Sequence, residues 1–238
     1  MTTTEKTIAL RDLRDTLDRC LCVAKVDSSR ILNIVDQVAF AYVHYRDGLE
    51  EVQNLLASTA LEPIAWQLTR DDHAMTVQPE GDAHPSILLD GQSLIDLAAA
   101  HRDVPVYFNW DESATSALLI QALRKSVWGT GVPVLIANLV GEVHQWSAMA
   151  VNETGDMYRY DGQEVVHLLD TLEVRARSDY TSMVIATARA SFDGEPARSD
   201  AAYQQRRKDM LTNGMGVDRE RWDQLWHQSR DFLMPFAD

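Results

Sequence analysis

The chain has 238 residues, 45% of them hydrophobic and 24% charged, with 36 acidic against 22 basic side chains and a formal net charge of -14. That length makes one large domain or two small ones, and the composition can bury an ordinary core, which excludes a disordered polymer. The acidic balance excludes a surface built for nucleic-acid backbones or anionic membranes; the partner it favours is another protein, a basic one if charge selects it.

The first fifteen residues carry charges where a secretory signal needs an apolar core. No run approaches the roughly 18 apolar residues of a membrane helix. Cys20 and Cys22 are too close for an ordinary disulfide and too few for a metal site. The expected compartment is the reducing cytoplasm, with delivery into a host cell by a dedicated secretion system as the alternative.

Leu10, Leu13, Leu17, Leu21 and Ala24 recur at helical spacing and predict a helix over 8–25. Cys20 and Cys22 sit near its C-terminal end, the wrong end to stabilise a thiolate, so they read as small packing residues. Asp27-Ser28-Ser29 caps a second helix reaching about residue 45, and Leu49, Val52, Leu55 and Leu56 make a third. After Pro63, 64–69 and 74–78 read as strands around a polar turn. Asp71, Asp72, His73, Asp82 and His84 are metal-ligand types, but without ligand spacing they read as a solvated loop. No metal or other cofactor is expected.

A short apolar piece at 86–90 precedes a helix over 93–101 and a strand over 104–108. Asp111 caps a helix over 112–126, which ends at Trp128-Gly129-Thr130-Gly131. Strands follow at 132–140, 144–151 and 157–160. If Asn152-Glu153-Thr154-Gly155 is a four-residue hairpin loop, Val151 faces Asp156 and Trp146 faces Asp161. His144 then lies diagonal to Asp161 on one face, roughly 7–8 Å away. Residues 165–174 fit a strand or a loop. Ser178-Asp179 caps a helix over 180–191, a charged helix covers 201–211, and Asp218 caps a last helix whose Trp222, Leu225, Trp226 and Leu233 pack on the domain.

The expected fold is therefore α+β: a central mixed or antiparallel sheet with flanking helices, a helical N-terminal segment and a helical C-terminal extension. The divisions fall at 1–60, 61–194 and 195–238, or the whole is one domain.

His144 and Asp161 are the polar pair that suits catalysis, because a carboxylate can fix an imidazole that deprotonates a nucleophile. The nucleophile candidates are Ser113, Tyr180 and Thr181, each at an expected helix start. The structural alternative makes His144 a hydrogen-bonded strand-end residue and Asp161 an ordinary turn residue.

His144-Gln145-Trp146-Ser147, Tyr160-Asp161-Gly162 and the stretch from Ser178 to Val184 together resemble the papain-like cysteine peptidase superfamily. The likeness is to ubiquitin-like-protein proteases and Yop-type acetyltransferases, or, with Ser113 at the nucleophile position, to transglutaminase-like folds. No Cys follows Cys22, so the resemblance implies a fold whose nucleophilic Cys is gone. The expected function is a catalytically degenerate, protein-binding effector or accessory protein, and the lean is away from an enzyme. The alternatives are an active acyl-transfer enzyme or hydrolase using His144 and Asp161, and a phage or bacterial assembly protein.

Overall fold

The computed structural model describes residues 5–58, 61, 64–81, 85–110, 113–192 and 194–233. In chain order the elements begin with β1 (Glu5–Ile8), α1 (Leu10–Val23), α2 (Ser28–Tyr45), α3 (Leu49–Ala57), β2 (Trp66–Arg70) and β3 (Met75–Pro79). Next come α4 (Ile87–Ala100), β4 (Val106–Phe108), α5 (Ala117–Thr130), β5 (Val134–Asn138), β6 (Ser147–Val151) and β7 (Met157–Asp161). The last are α6 (Gln163–Thr171), β8 (Ser182–Ala186), α7 (Asp200–Asn213), β9 (Met215–Asp218) and α8 (Arg219–Arg230). The chain is α+β, with a mixed sheet flanked by helices. It forms two compact units, one of residues 1–63 with 201–238 and one of residues 64–200.

In unit 1 the apolar stripe of α1 is buried at Leu13, Leu17, Cys20 and Leu21, and α1 packs on α2 and α8. Asp27 starts α2 by accepting the Ser29 N–H (2.8 Å), satisfying one of the donors a helix start leaves free. Strands β1 and β9 pair antiparallel, Ile8 opposite Met215, and join the two chain segments of the unit. Neither strand is expected from the sequence, since each has four residues and no apolar run. Gly214 enters β9 at φ +72°, where a Cβ would lie 2.8 Å from the Ile8 carbonyl oxygen.

Unit 2 is built on a sheet ordered β2-β3-β4-β8-β5-β6-β7, with β3–β4 its one parallel pair. Leu135, Ala137, Ala148, Ala150, Met183 and Ile185 face a core closed by Val165, Leu168 and Leu169 of α6. Helices α4 and α5 cover the opposite face. They approach closely at Gly91, where a Cβ would lie 2.4 Å from a Leu119 methyl. Residues 86–101, expected as two pieces, are thus largely one helix, α4.

The helix expected over 180–191 is instead strand β8, with all five residues buried between β4 and β5. A strand buried on both faces shows an unbroken apolar run, and Ser182-Met183-Val184-Ile185-Ala186 imitates a helix segment for that reason. The ambiguous 165–174 stretch is mostly α6. Arg124, buried in α5, donates to the Gly155 carbonyl (2.5 Å), pairs with Asp200 and lies over the Trp128 ring (4.7 Å), fixing the point where the chain enters α7. Among the described residues no helix is long and apolar enough to cross a membrane.

Candidate functional site

The hairpin register separates His144 from Asp161. Val151 pairs with Met157, so the loop has one more residue than expected and Ser147, not Trp146, stands opposite Asp161. A one-residue slip moves a side chain to the other face. Asp161 therefore shares a face with Ser147, while Trp146 lies against the α6 core. His144 sits in a 3₁₀ turn before β6, exposed, its Nδ1 3.4 Å from Glu142 Oε2. No hydrogen bond or ion pair joins His144 to Asp161 among the described residues.

The other expected site residues have structural partners. Tyr180 precedes β8, its ring 5.9 Å from that of Tyr107. Thr181 stitches two strand ends together: its N–H donates to Asn109 Oδ1 (2.7 Å), its hydroxyl accepts from Trp110 N–H (3.1 Å), and its carbonyl accepts from Leu139 N–H (2.7 Å). Neither residue opens a helix, so neither has the positive helix end a nucleophile there would use. Asp71 accepts from Arg177 and from the N–H groups of His73 and Ala74. Asp82 and His84 lie outside the described residues, as does the expected Asp111 cap.

A different set of polar groups comes together at the end of β5. Asn138 is directly opposite Ser147 on one side and Ser182 on the other. Ser147 is opposite Asp161, and Ser182 is opposite Phe108. Directly opposed residues point to the same face, so Asp161, Ser147, Asn138, Ser182 and Phe108 form one row on the α4–α5 side. The row grades from exposed at Asp161, through half-buried Ser147 and Asn138, to fully buried Ser182.

Helix α5 begins beside this row. Ser116 caps it by accepting the Leu118 N–H (3.3 Å), and Thr115 Oγ1 lies 2.9 Å from Ser147 Oγ. Ser113, exposed, bonds Thr115 (3.0 Å), so a hydroxyl chain runs from Ser147 to solvent. Ser182 Oγ, Asn138 Oδ1 and Trp110 Nε1 are buried and, among the described residues, without hydrogen-bond partners. The Trp110 ring packs edge-on against Phe108, 4.6 Å between centroids. Unpartnered buried polar atoms cost stability, and two of them, on Asn138 and Ser182, lie on directly opposed residues of the row beside the start of α5. The donors Ser182 Oγ–H and Trp110 Nε1–H suit an anionic or carbonyl oxygen, and Asn138 Oδ1 suits a hydroxyl or an amide N–H.

A groove of about 720 Å³ elsewhere in unit 2 is lined by Arg175, Arg177, Arg189, Asp72, Asp103 and Glu173. Arg177 pairs with Asp71 (2.9 Å) and Arg189 with Asp103 (3.5 Å) and Glu173 (3.6 Å), so its charges are largely matched internally. Among the described residues no cluster of three His, Cys, Asp or Glu side chains could hold a metal.

No family model matches the sequence, and no curated protein does. Solved structures match it along nearly its whole length. A dehydrogenase from Sinorhizobium meliloti superposes with a TM-score of 0.65 at 10% identity, covering 95% of this chain and 100% of its own. Malate dehydrogenase from Entamoeba histolytica gives 0.64 at 8% identity, covering 99% and 100%. Sulfolactate dehydrogenase from Methanocaldococcus jannaschii gives 0.62 at 6% identity, covering 96% and 98%. The fold is the one these dehydrogenases have.

That likeness overturns the papain-like expectation. The short motifs around His144, Asp161 and Tyr180 matched by residue type, but the strand β8 where a helix was needed removes their common framework. The degenerate effector, the acyl-transfer enzyme and the assembly protein fall with it, and so does the lean away from an enzyme, since the structures that share the fold are dehydrogenases. Asn138, Ser147 and Ser182 were not singled out from the sequence. No motif marks them, and only strand register brings them together.

Proposed function

We propose that this protein is an oxidoreductase that transfers a hydride between a nicotinamide dinucleotide and a carbon bearing an oxygen beside a carboxylate. The observation that carries this reading is the full-length likeness to dehydrogenases, among them ones named for malate and sulfolactate, both 2-hydroxy carboxylates. The mixed sheet lacks the all-parallel order and glycine-rich turn that often cradle a dinucleotide, so another part of the fold must hold it.

The row at the end of β5 suits that task. The start of α5, with Thr115 and Ser116, favours a bound anion, and Trp110 Nε1–H offers it a donor. When bound, the nicotinamide supplies the hydride acceptor or donor. The chain orients the substrate: Ser182 donates to its oxygen, and Asn138 Oδ1 accepts from a hydroxyl there. The Ser147, Thr115 and Ser113 hydroxyls carry the released proton to solvent. The two free thiols and the nicotinamide requirement fit a cytoplasmic protein.

The test is direct. NADH and NADPH are titrated by calorimetry, and their oxidation is followed with a panel of 2-oxo acids. Saturable binding and turnover with a Michaelis constant between about 1 μM and 1 mM are expected. No binding of either dinucleotide at millimolar concentration, with no turnover across the panel, sinks the reading.

A further inference from the structure

We propose that the open edge of β2 docks a second copy of this chain, joining two seven-stranded sheets across a two-fold axis at Leu68. Among the described residues strand β2 pairs with β3 alone. The two sheet edges are treated differently. At β7, Met157 N–H donates to the Arg198 carbonyl (2.8 Å) and Arg198 N–H to the Met157 carbonyl (3.1 Å), covering part of that edge. Among the described residues strand β2 has no such cover, and Gln67, Leu68, Thr69 and Arg70 are all exposed. It also lacks the proline, lysine or bulge that commonly blunts an edge.

The hydrogen-bond phase shows which backbone groups the edge presents. Glu80 N–H donates to the Ala65 carbonyl (2.8 Å) and Asp71 N–H to the Ala74 carbonyl (3.0 Å). In an antiparallel ladder bonded pairs alternate with unbonded ones, so Gln67 and Thr69 also face β3. Trp66, opposite Pro79, falls at an unbonded pair, as it must where the partner has no N–H. Trp66, Leu68 and Arg70 therefore turn their N–H and C=O groups outward.

These three residues complement their own two-fold image. Pairing about Leu68 sets Trp66 against Arg70 of the second copy, Leu68 against Leu68, and Arg70 against Trp66. All three are bonded pairs, giving six hydrogen bonds by the antiparallel rule. Centring on Gln67 or Thr69 instead leaves two bonded pairs and four bonds. The Leu68 register also places each cationic Arg70 beside an aromatic Trp66 ring on one face, a cation–π contact made twice, while Gln67 meets Thr69 on the other. That charge complementarity commits the edge to a second copy.

The test is sedimentation equilibrium of the full chain at increasing concentration, with two variants. The wild type is expected to dimerise reversibly below roughly 100 μM. Leu68→Pro removes an outward N–H that β3 does not use, so it is expected to be monomeric with an unchanged circular dichroism spectrum. Arg70→Glu is expected to raise the dimer dissociation constant at least about tenfold by removing the cation–π contacts. If Leu68→Pro does not fold, Arg70→Glu decides. A wild type monomeric at about 100 μM, or either folded variant dimerising like the wild type, overturns the proposal.

Discussion

Asn138 on β5 and Ser182 on β8 stand directly opposite one another, and a buried oxygen of each side chain has no hydrogen-bond partner among the described residues. One is an acceptor and the other can donate, so a single bound oxygen with a proton satisfies both. In the free protein this pair is a cost. Ser182→Ala is therefore expected to leave stability unchanged or raise it by about 1 kcal/mol, seen as a melting temperature equal to or above that of the parent. On the proposed function, the same variant is expected to bind dinucleotide or 2-oxo acid at least about tenfold more weakly, the loss of one hydrogen bond at a buried site. Reduced stability with unchanged binding would make Ser182 a packing residue.

Asp200→Asn tests the clamp at the entry to α7. Arg124 is 1% exposed and its pairing carboxylate about a third exposed. Removing that charge leaves a buried guanidinium less well compensated, with a loss of about 2–3 kcal/mol after allowing for solvent near Asp200. Urea unfolding of parent and variant measures it. A shift under about 0.5 kcal/mol would place the clamp among ordinary surface pairs.

Asp71 is held at about 2, first by the Arg177 hydrogen bond and then by the His73 and Ala74 N–H groups. The folded value lies below the ordinary carboxylate range, so the contribution is full above about pH 4 and is lost as pH falls towards about 2. In Arg177→Gln the Asp71 carboxyl is expected to titrate higher, and acid unfolding to begin at a higher pH. Carboxyl NMR titration of both proteins checks it.

The two thiols are expected to react unequally. Burial, and then the Asp231 charge, push the Cys20 thiol up to about 12, and its Sγ lies 3.2 Å from the Leu225 carbonyl. A thiol raised in the folded state contributes stability that is lost as pH rises from about 9 towards about 12. Burial, and then the Asp18 charge, raise Cys22 as well, so at pH 8 the native protein is expected to react with a disulfide reagent first at the half-buried Cys22, and at both thiols after denaturation. Two fast thiols in the native protein would place Cys20 outside the core.

Much of unit 1 is legible in the sequence because its helices carry local signals. Asp27 caps α2, and Leu13, Leu17 and Leu21 repeat at the period their burial requires. The failures are where pairing, not periodicity, decides. Strand β8 carries a cap-like Ser178-Asp179 and an apolar run, and only its place between β4 and β5 makes it extended. One extra loop residue moved Asp161 from Trp146 to Ser147. The candidate site depends on register across several strands, so Asn138 and Ser182, 44 positions apart, give no local sign that they are neighbours.

The pairing of β1 with β9 also sets an order of events during synthesis. Unit 2 is one continuous stretch, available to fold once residue 200 has cleared the ribosome. Unit 1 has α1, α2 and α3 made before any of unit 2, yet the strand that pairs with β1 and the helix that covers Cys20 are made only after all of unit 2. Until then the inner face of α1 has no α8 to cover it, and a nascent chain paused short of residue 215 exposes it to chaperones and proteases.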